Sequence, residues 1–259
     1  SGDWSSDVCS SDLMQMHSLD DSRLPIRDDL KVSIETAWSQ IPKTGAWLSG
    51  QQRLGVVAEA RQAWLCELCQ RRKASISPYV TEGAHDSLDQ LPLTWVEVIH
   101  RIVTDPGRIT ESWYESVIGA GVLEDEYIEI LSLATIVTCI DTFTDALGME
   151  RWSLPESTES GSPECRRPLC AAVGPGWALT VSPDAAGPEL GNFYDHGHQY
   201  IRRSLTLVPD ELNRFWSLMN SLYMANPAVD ELEGVDRAIS RAQIEFIATR
   251  VSAYLDCFY

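Results

Sequence analysis

Two cysteine patterns and a few histidines carry most of the chemistry open to this chain. Cys66-Glu67-Leu68-Cys69 is a Cys-x-x-Cys run, with Arg61, Arg71, Arg72 and Lys73 close by in sequence. A free cysteine has a pKa near ~8.5, and a helix start or neighbouring cations lower it, so the pair reads either as a redox dithiol or as two buried structural cysteines. With His85 and His100 the same sulfurs form a Cys2His2 donor set. Structural zinc usually takes its second ligand pair three to five residues apart, whereas fourteen residues lie between these histidines. No metal is therefore expected: His85, after Gly83, reads as a polar loop residue and His100 as a satisfied core residue. Near the carboxyl end Glu245 precedes Cys257 by twelve positions. At ~3.6 residues per turn the two do not share one line of a straight helix, but they meet if the cysteine lies past a bend.

Other candidates carry less. Asp195-His196-Gly197-His198 lies between a Gly/Pro-rich stretch and a helical pattern, and reads as a solvated helix entry. Cys165 and Cys170 are spaced so that a disulfide could form, but no secretion signal is visible, which points to thiols in a reducing compartment. The nine tryptophans fall at helical spacings and read as packing residues. No phosphate-binding glycine loop, Ser-His-Asp order or heptad run is present.

The elements that would position these groups are helices. Leu54, Val57, Ala58, Arg61, Trp64, Leu65 and Leu68 recur at steps of three and four, as do Trp95, Val98, Ile99 and Ile102. Ser77-Pro78, Asp105-Pro106-Gly107 and Gly119 to Gly121 supply stops. From about Glu124 to Leu147 the pattern is nearly apolar, which suits an inner helix capped by Gly148. Between Trp152 and Gly191 lie six of the thirteen prolines and five of the sixteen glycines. Helical spacing is lost there and resumes at Tyr200. With no alternating strand pattern, the expectation is an all-α protein. Its parts are a first helical half at 14–151, an irregular linker at 152–191 and a shorter second half at 192–259.

At 259 residues and 44% apolar, the chain is long enough to bury a core. No apolar run approaches the roughly 20 residues of a membrane span, so no membrane partner is expected. A net charge of -18 would repel a phosphate backbone, which argues against nucleic acid. Residues 1–13 stand apart. Asp3 to Leu13, DWSSDVCSSDL, is the translation of a common short-read sequencing adapter; setting it aside leaves 20 basic against 35 acidic side chains, and removes Cys9.

The segment Ile239 to Tyr259 resembles the AhpD-like and carboxymuconolactone decarboxylase family, whose peroxidase members carry a Glu, eleven residues, then Cys-x-x-Cys-x-x-x-His. The resemblance rests on Glu245, Val251-Ser252 and Cys257-Phe258-Tyr259. It spans most of Leu54 to Gly148 as well and resumes from Tyr200, in the manner of two-copy members. It implies Glu245 as proton-relay acid and Cys257 as resolving thiol, with the peroxide-attacking residue next after Tyr259. Either a contig edge or a UGA selenocysteine codon taken as a stop would end the chain there. In the first half the family's Glu position holds Leu54 and its His position holds Lys73, so Cys66 and Cys69 form a second redox pair only by a departure from the pattern. Glu129 aligns with Glu245, and Asp141 with Cys257.

What the resemblance implies is a thiol- or selenol-dependent alkylhydroperoxidase-like oxidoreductase, inactive as truncated. It would act on a hydroperoxide, be reset by an external dithiol, need no cofactor, and work in the cytoplasm as a homo-oligomer. A lactone decarboxylase of the same family, and a non-catalytic helical scaffold, are the competing expectations. Truncation after the second motif is expected to leave 239–259 loosely packed or folded onto the first half.

Overall fold

The computed structural model describes residues 18–156, 161–188, 190, 191, 193–195, 200–225, 233–255 and 257. The adapter-like stretch, His196 and His198 lie outside them. The chain is all-α, with a single short hairpin among the described residues.

The first half is built of α1 (Asp28–Gln40), α2 (Gly50–Ala63), α3 (Glu67–Ala74), α4 (Leu93–Thr104), α5 (Glu111–Gly119) and α6 (Glu124–Ala146). Ser49 starts α2 with a capping box, its hydroxyl accepting from the Gln52 amide while Gln52 Oε1 accepts from the Ser49 amide. Gly148, at φ +68°, follows the end of α6 in the left-handed conformation that glycine adopts without steric cost. Helices α2, α4 and α6 pack on one another, and α1 and α6 pack on a later helix, α8 (Pro209–Leu222), which follows the single turn of α7 (Tyr200–Arg203).

One apolar core joins Ile34 and Trp38 of α1, Val56 and Val57 of α2, Ile99 of α4, Ile130 and Leu133 of α6, and Leu212 and Leu218 of α8. By length and composition α6 could cross a membrane, which the sequence expectation did not allow for, but 67% of its apolar window is packed inside the protein. That degree of burial is what a bundle's core helix shows.

Residues 152–191 are irregular but packed. Trp152, Val181 and Leu190 reach the core. The hairpin pairs β1 (Ala172–Val173) with β2 (Leu179–Thr180) in antiparallel register. Arg167 grips the buried carboxylate of Asp125 on α6, and Val181 donates its amide to Thr206 and accepts from the Tyr194 hydroxyl.

Two arginines of α2 clamp α6. Arg53, 1% exposed, donates to Glu129 of α6 and to Glu211 of α8, and its Nε reaches the Ile41 carbonyl. Trp47 donates its amide to the other Glu129 oxygen at 2.8 Å. Gly45 passes so close that a Cβ there would overlap Glu129 and Arg53. Two turns on, Arg61 holds Asp141 through two bonds of 2.7 and 2.8 Å, bonds the Trp152 carbonyl and lies over Trp38. Glu129 and Asp141 thus serve as carboxylate anchors in α6.

The last helix, α9 (Arg241–Tyr254), buries none of its side chains, and Phe246, Ile247, Val251, Tyr254 and Leu255 are exposed.

Removing one partner of a buried ion pair leaves an uncompensated charge. Arg53→Met is expected to lower stability by about 3–5 kcal/mol in urea unfolding, with partial recovery in Arg53→Met/Glu129→Gln. A loss below about 1 kcal/mol would show that the Arg53 cluster does not hold the bundle together.

Candidate functional site

The apolar run from Leu54 to Leu68 suggests one continuous helix, but the backbone breaks at Trp64–Cys66. Cys66 becomes the N-cap of α3, and Cys69 lies in its first turn. Both sulfurs face inward, at 0% and 3% exposure, and form a small cluster with Leu68 apart from the main core. The far end of α3 is fixed by Arg108, whose guanidinium donates to the Ser75, Arg72 and Lys73 carbonyls and pairs with Asp105.

The loop after α3 folds back across its start. At Gly83 (φ +154°) a Cβ would crowd Arg71 and Leu68, so a side chain there would push the loop off α3. Asp86 accepts the Glu67 amide at 2.7 Å, Gln62 donates to the Asp86 carbonyl, and the Leu88 amide donates to Glu59 of α2. This pins His85 over the cysteines. His100 arrives from α4, fully buried. One ligand atom from each of Cys66, Cys69, His85 and His100 lies within 4.8 Å of every other.

The contacts follow one pattern. His85 Nδ1 lies 3.5 Å from both Cys66 Sγ and Cys69 Sγ, and His100 Nδ1 lies 3.2 Å from Cys69 Sγ. The opposite ring nitrogens bond carboxylates: His85 Nε2 to Glu97 and His100 Nε2 to Glu59, both at 2.8 Å. Glu97 also accepts from Arg72 and from the Trp113 indole. Glu59 is wholly buried, and among the described residues its partners are His100 and the Leu88 amide, with no arginine or lysine.

The electrostatics follow from these bonds. Burial opposes charge on His85, but hydrogen bonds with Cys69, Glu97 and Cys66 outweigh it and lift the imidazole to about 10. Burial likewise opposes ionisation of Glu97, yet His85, Arg72 and Trp113 hold it at about 2. The Cys66 thiol is pulled below its ordinary value against burial by the Cys69 and Asp86 amides and by His85. His100 is pushed down by burial and by the charge of His85, against the pull of Glu59.

The structure therefore joins Cys66 and Cys69 to both histidines despite their wide spacing. Glu59 and His100 form one carboxylate–imidazole pair beside the sulfurs, and Glu97 and His85 form a second, while Leu54 lies in the main core and Lys73 over Trp64. Glu59 and Glu97 were missed from sequence; the available signal was that each is the single acidic residue of its helix. Of the cations thought to favour a thiolate, Arg61 is taken by Asp141, Arg72 by Glu97, and Lys73 lies over Trp64. Glu245 bonds Tyr223 and Arg241, while Cys257 is exposed beyond α9, and no hydrogen bond joins the two. Cys165 and Cys170 are free thiols. No protein-family model, no curated protein and no solved structure matches this chain.

Burial orders the thiols by access. Cys165 and Cys257 are exposed, Cys66 and Cys69 are buried, and burial lifts the Cys139 thiol to about 11. In the native protein iodoacetamide should modify Cys165 and Cys257 well before Cys66, Cys69 and Cys139, as read by peptide mapping. Equal labelling of all five would contradict the buried placement.

Proposed function

We propose that this chain is a thiol-dependent, AhpD-like oxidoreductase that reduces small hydroperoxides through Cys66 and Cys69. The observation that carries the reading is the pair of Glu–His–Cys chains, Glu59–His100–Cys69 and Glu97–His85–Cys66, in which each sulfur has an imidazole nitrogen within 3.5 Å and each imidazole is backed by a carboxylate. Such a chain accepts a thiol proton and returns it to a leaving oxygen.

Cys66, at the start of α3, is the attacking thiolate. Its sulfur bonds to the outer peroxide oxygen, the O–O bond breaks, and the departing alkoxide takes a proton from the imidazolium to leave as an alcohol. Cys69 then attacks the resulting sulfenic acid, the disulfide closes, and hydroxide leaves as water with the second proton. An external dithiol restores both thiols by exchange. The burial of both sulfurs favours hydrogen peroxide and short alkyl hydroperoxides over bulky ones.

Glu245 and Cys257 keep the spacing of the resemblance and stand as a subordinate centre, since Glu245 is engaged by Arg241 and Tyr223. The reading carries with it a cytoplasmic, reducing setting and a homo-oligomer, for which the exposed apolar face of α9 is suited. The net charge of -18 disfavours nucleic acid as a partner, and the internal packing of α6 disfavours a membrane.

Peroxide consumption with a dithiol reductant should vanish in Cys66→Ser. In Cys69→Ser a sulfenic acid should accumulate on Cys66, detected by dimedone adduct mass. Loss of turnover in Cys257→Ser with retention in Cys66→Ser would transfer the reaction to the C-terminal centre. No turnover in the intact chain would leave the scaffold reading.

A further inference from the structure

We infer that Cys66, Cys69, His85 and His100 form a tetrahedral binding site for one Zn2+ ion. The inference stands on donor geometry and does not depend on peroxide chemistry. Zinc takes sulfur at about 2.3 Å and imidazole nitrogen at about 2.0–2.1 Å, so a regular tetrahedron places sulfur and nitrogen about 3.5 Å apart. The three sulfur–nitrogen contacts here are 3.5, 3.5 and 3.2 Å, and all four donors fall within 4.8 Å of one another. Two thiolates with two imidazoles are a borderline-soft set that favours zinc over calcium, magnesium or manganese.

The surroundings match a zinc centre as closely as the donors do. Both rings aim Nδ1 at the sulfurs and give Nε2 to a carboxylate, the orientation in which a metal-bound histidine is held. The charge fits as well: the two thiolates neutralise the dication, and metal on Nδ1 of His100 would make its Nε2–H a stronger donor to Glu59, a fully buried acid with no arginine or lysine on it among the described residues. Four protein donors from α3, the Gly83 loop and α4 complete the coordination, so the bound ion has no open position for substrate. Its effect is to tie the loop to two helices and to hold both thiolates out of reaction.

The two readings therefore meet on the same sulfurs. When a hydroperoxide and two protons consume the bound dithiolate, the products are the disulfide, an alcohol, water and released Zn2+. Cys66 and Cys69 lose two electrons and the O–O bond gains them.

The test measures metal content and peroxide turnover on the same preparations. The intact chain, purified under reducing conditions and dialysed against Zn2+, should hold about one zinc per chain by plasma mass spectrometry. Co2+ in its place should give the sulfur-to-metal charge-transfer and tetrahedral ligand-field bands of a Cys2His2 site. Glu59→Gln, which keeps every donor and the shape of the helix, should weaken zinc about 10–100-fold in competition with a chromophoric chelator. Cys69→Ser and His100→Ala should abolish the cobalt spectrum. A folded wild-type chain that retains no zinc, with Cys66 and Cys69 titrating as free thiols on unfolding in equimolar Zn2+, would overturn the inference. Zinc bound in an octahedral, sulfur-free site would do the same. Peroxide turnover is read after chelation: zinc retention with no turnover overturns the proposed reaction and leaves the metal site, whereas turnover with no zinc affinity does the reverse.

Discussion

Two imidazole–carboxylate hydrogen bonds set the geometry of the cysteine cluster. His100 Nε2 on Glu59 and His85 Nε2 on Glu97 turn the other nitrogen of each ring toward the cysteine pair. Without them the rings could flip or shift tautomer, and the sulfurs would face ordinary core contacts. With them, four soft donors converge in a pocket that water scarcely reaches, which raises the strength of every charge interaction inside it. The proposed dithiol redox chemistry and the inferred zinc coordination both draw on this one arrangement.

The frame that supports it is electrostatic as well as apolar. Arg53 and Arg61 on α2 hold Glu129 and Asp141 on α6, and this sets α2, the helix that carries Glu59. α4 packs on both α2 and α6 and delivers His100 and Glu97. Arg108 finishes α3 and so fixes where its first turn presents Cys66 and Cys69. The N-terminal half therefore carries its candidate centre on three mutually braced elements. Among the described residues the C-terminal segment has no comparable bracing: α9 buries no side chain, and Cys257 stands exposed after it.

Helical spacing made the bundle readable. The runs at Trp95 to Ile102 and Glu124 to Leu147 became α4 and α6, with Gly148 just past the end of the latter. The Cys-x-x-Cys pair was visible as a motif, but its partners were not, because distance along the chain says nothing of a loop that folds back. His85 reaches the sulfurs only because the loop at Gly83 presses on α3 and Asp86 caps Glu67. Periodicity also hid the break at Trp64–Cys66: Ala63 before it and Cys66 and Leu68 after it are buried, whereas Trp64 and Leu65, which fit the apolar rhythm, are exposed. The Pro/Gly-rich stretch was recognisable as irregular. Its packing depends on particular residues such as Arg167 on Asp125, which composition does not disclose.

The protonation of the two rings tests the central claim most directly. Long-range proton–nitrogen correlation NMR on 15N-histidine-labelled protein reports which ring nitrogen bears hydrogen. The account predicts a proton on Nε2 of both His85 and His100 at neutral pH, with or without zinc. A bare Nε2 on either ring would mean that its carboxylate does not orient it, and the convergence of donors on Cys66 and Cys69 would lose its cause.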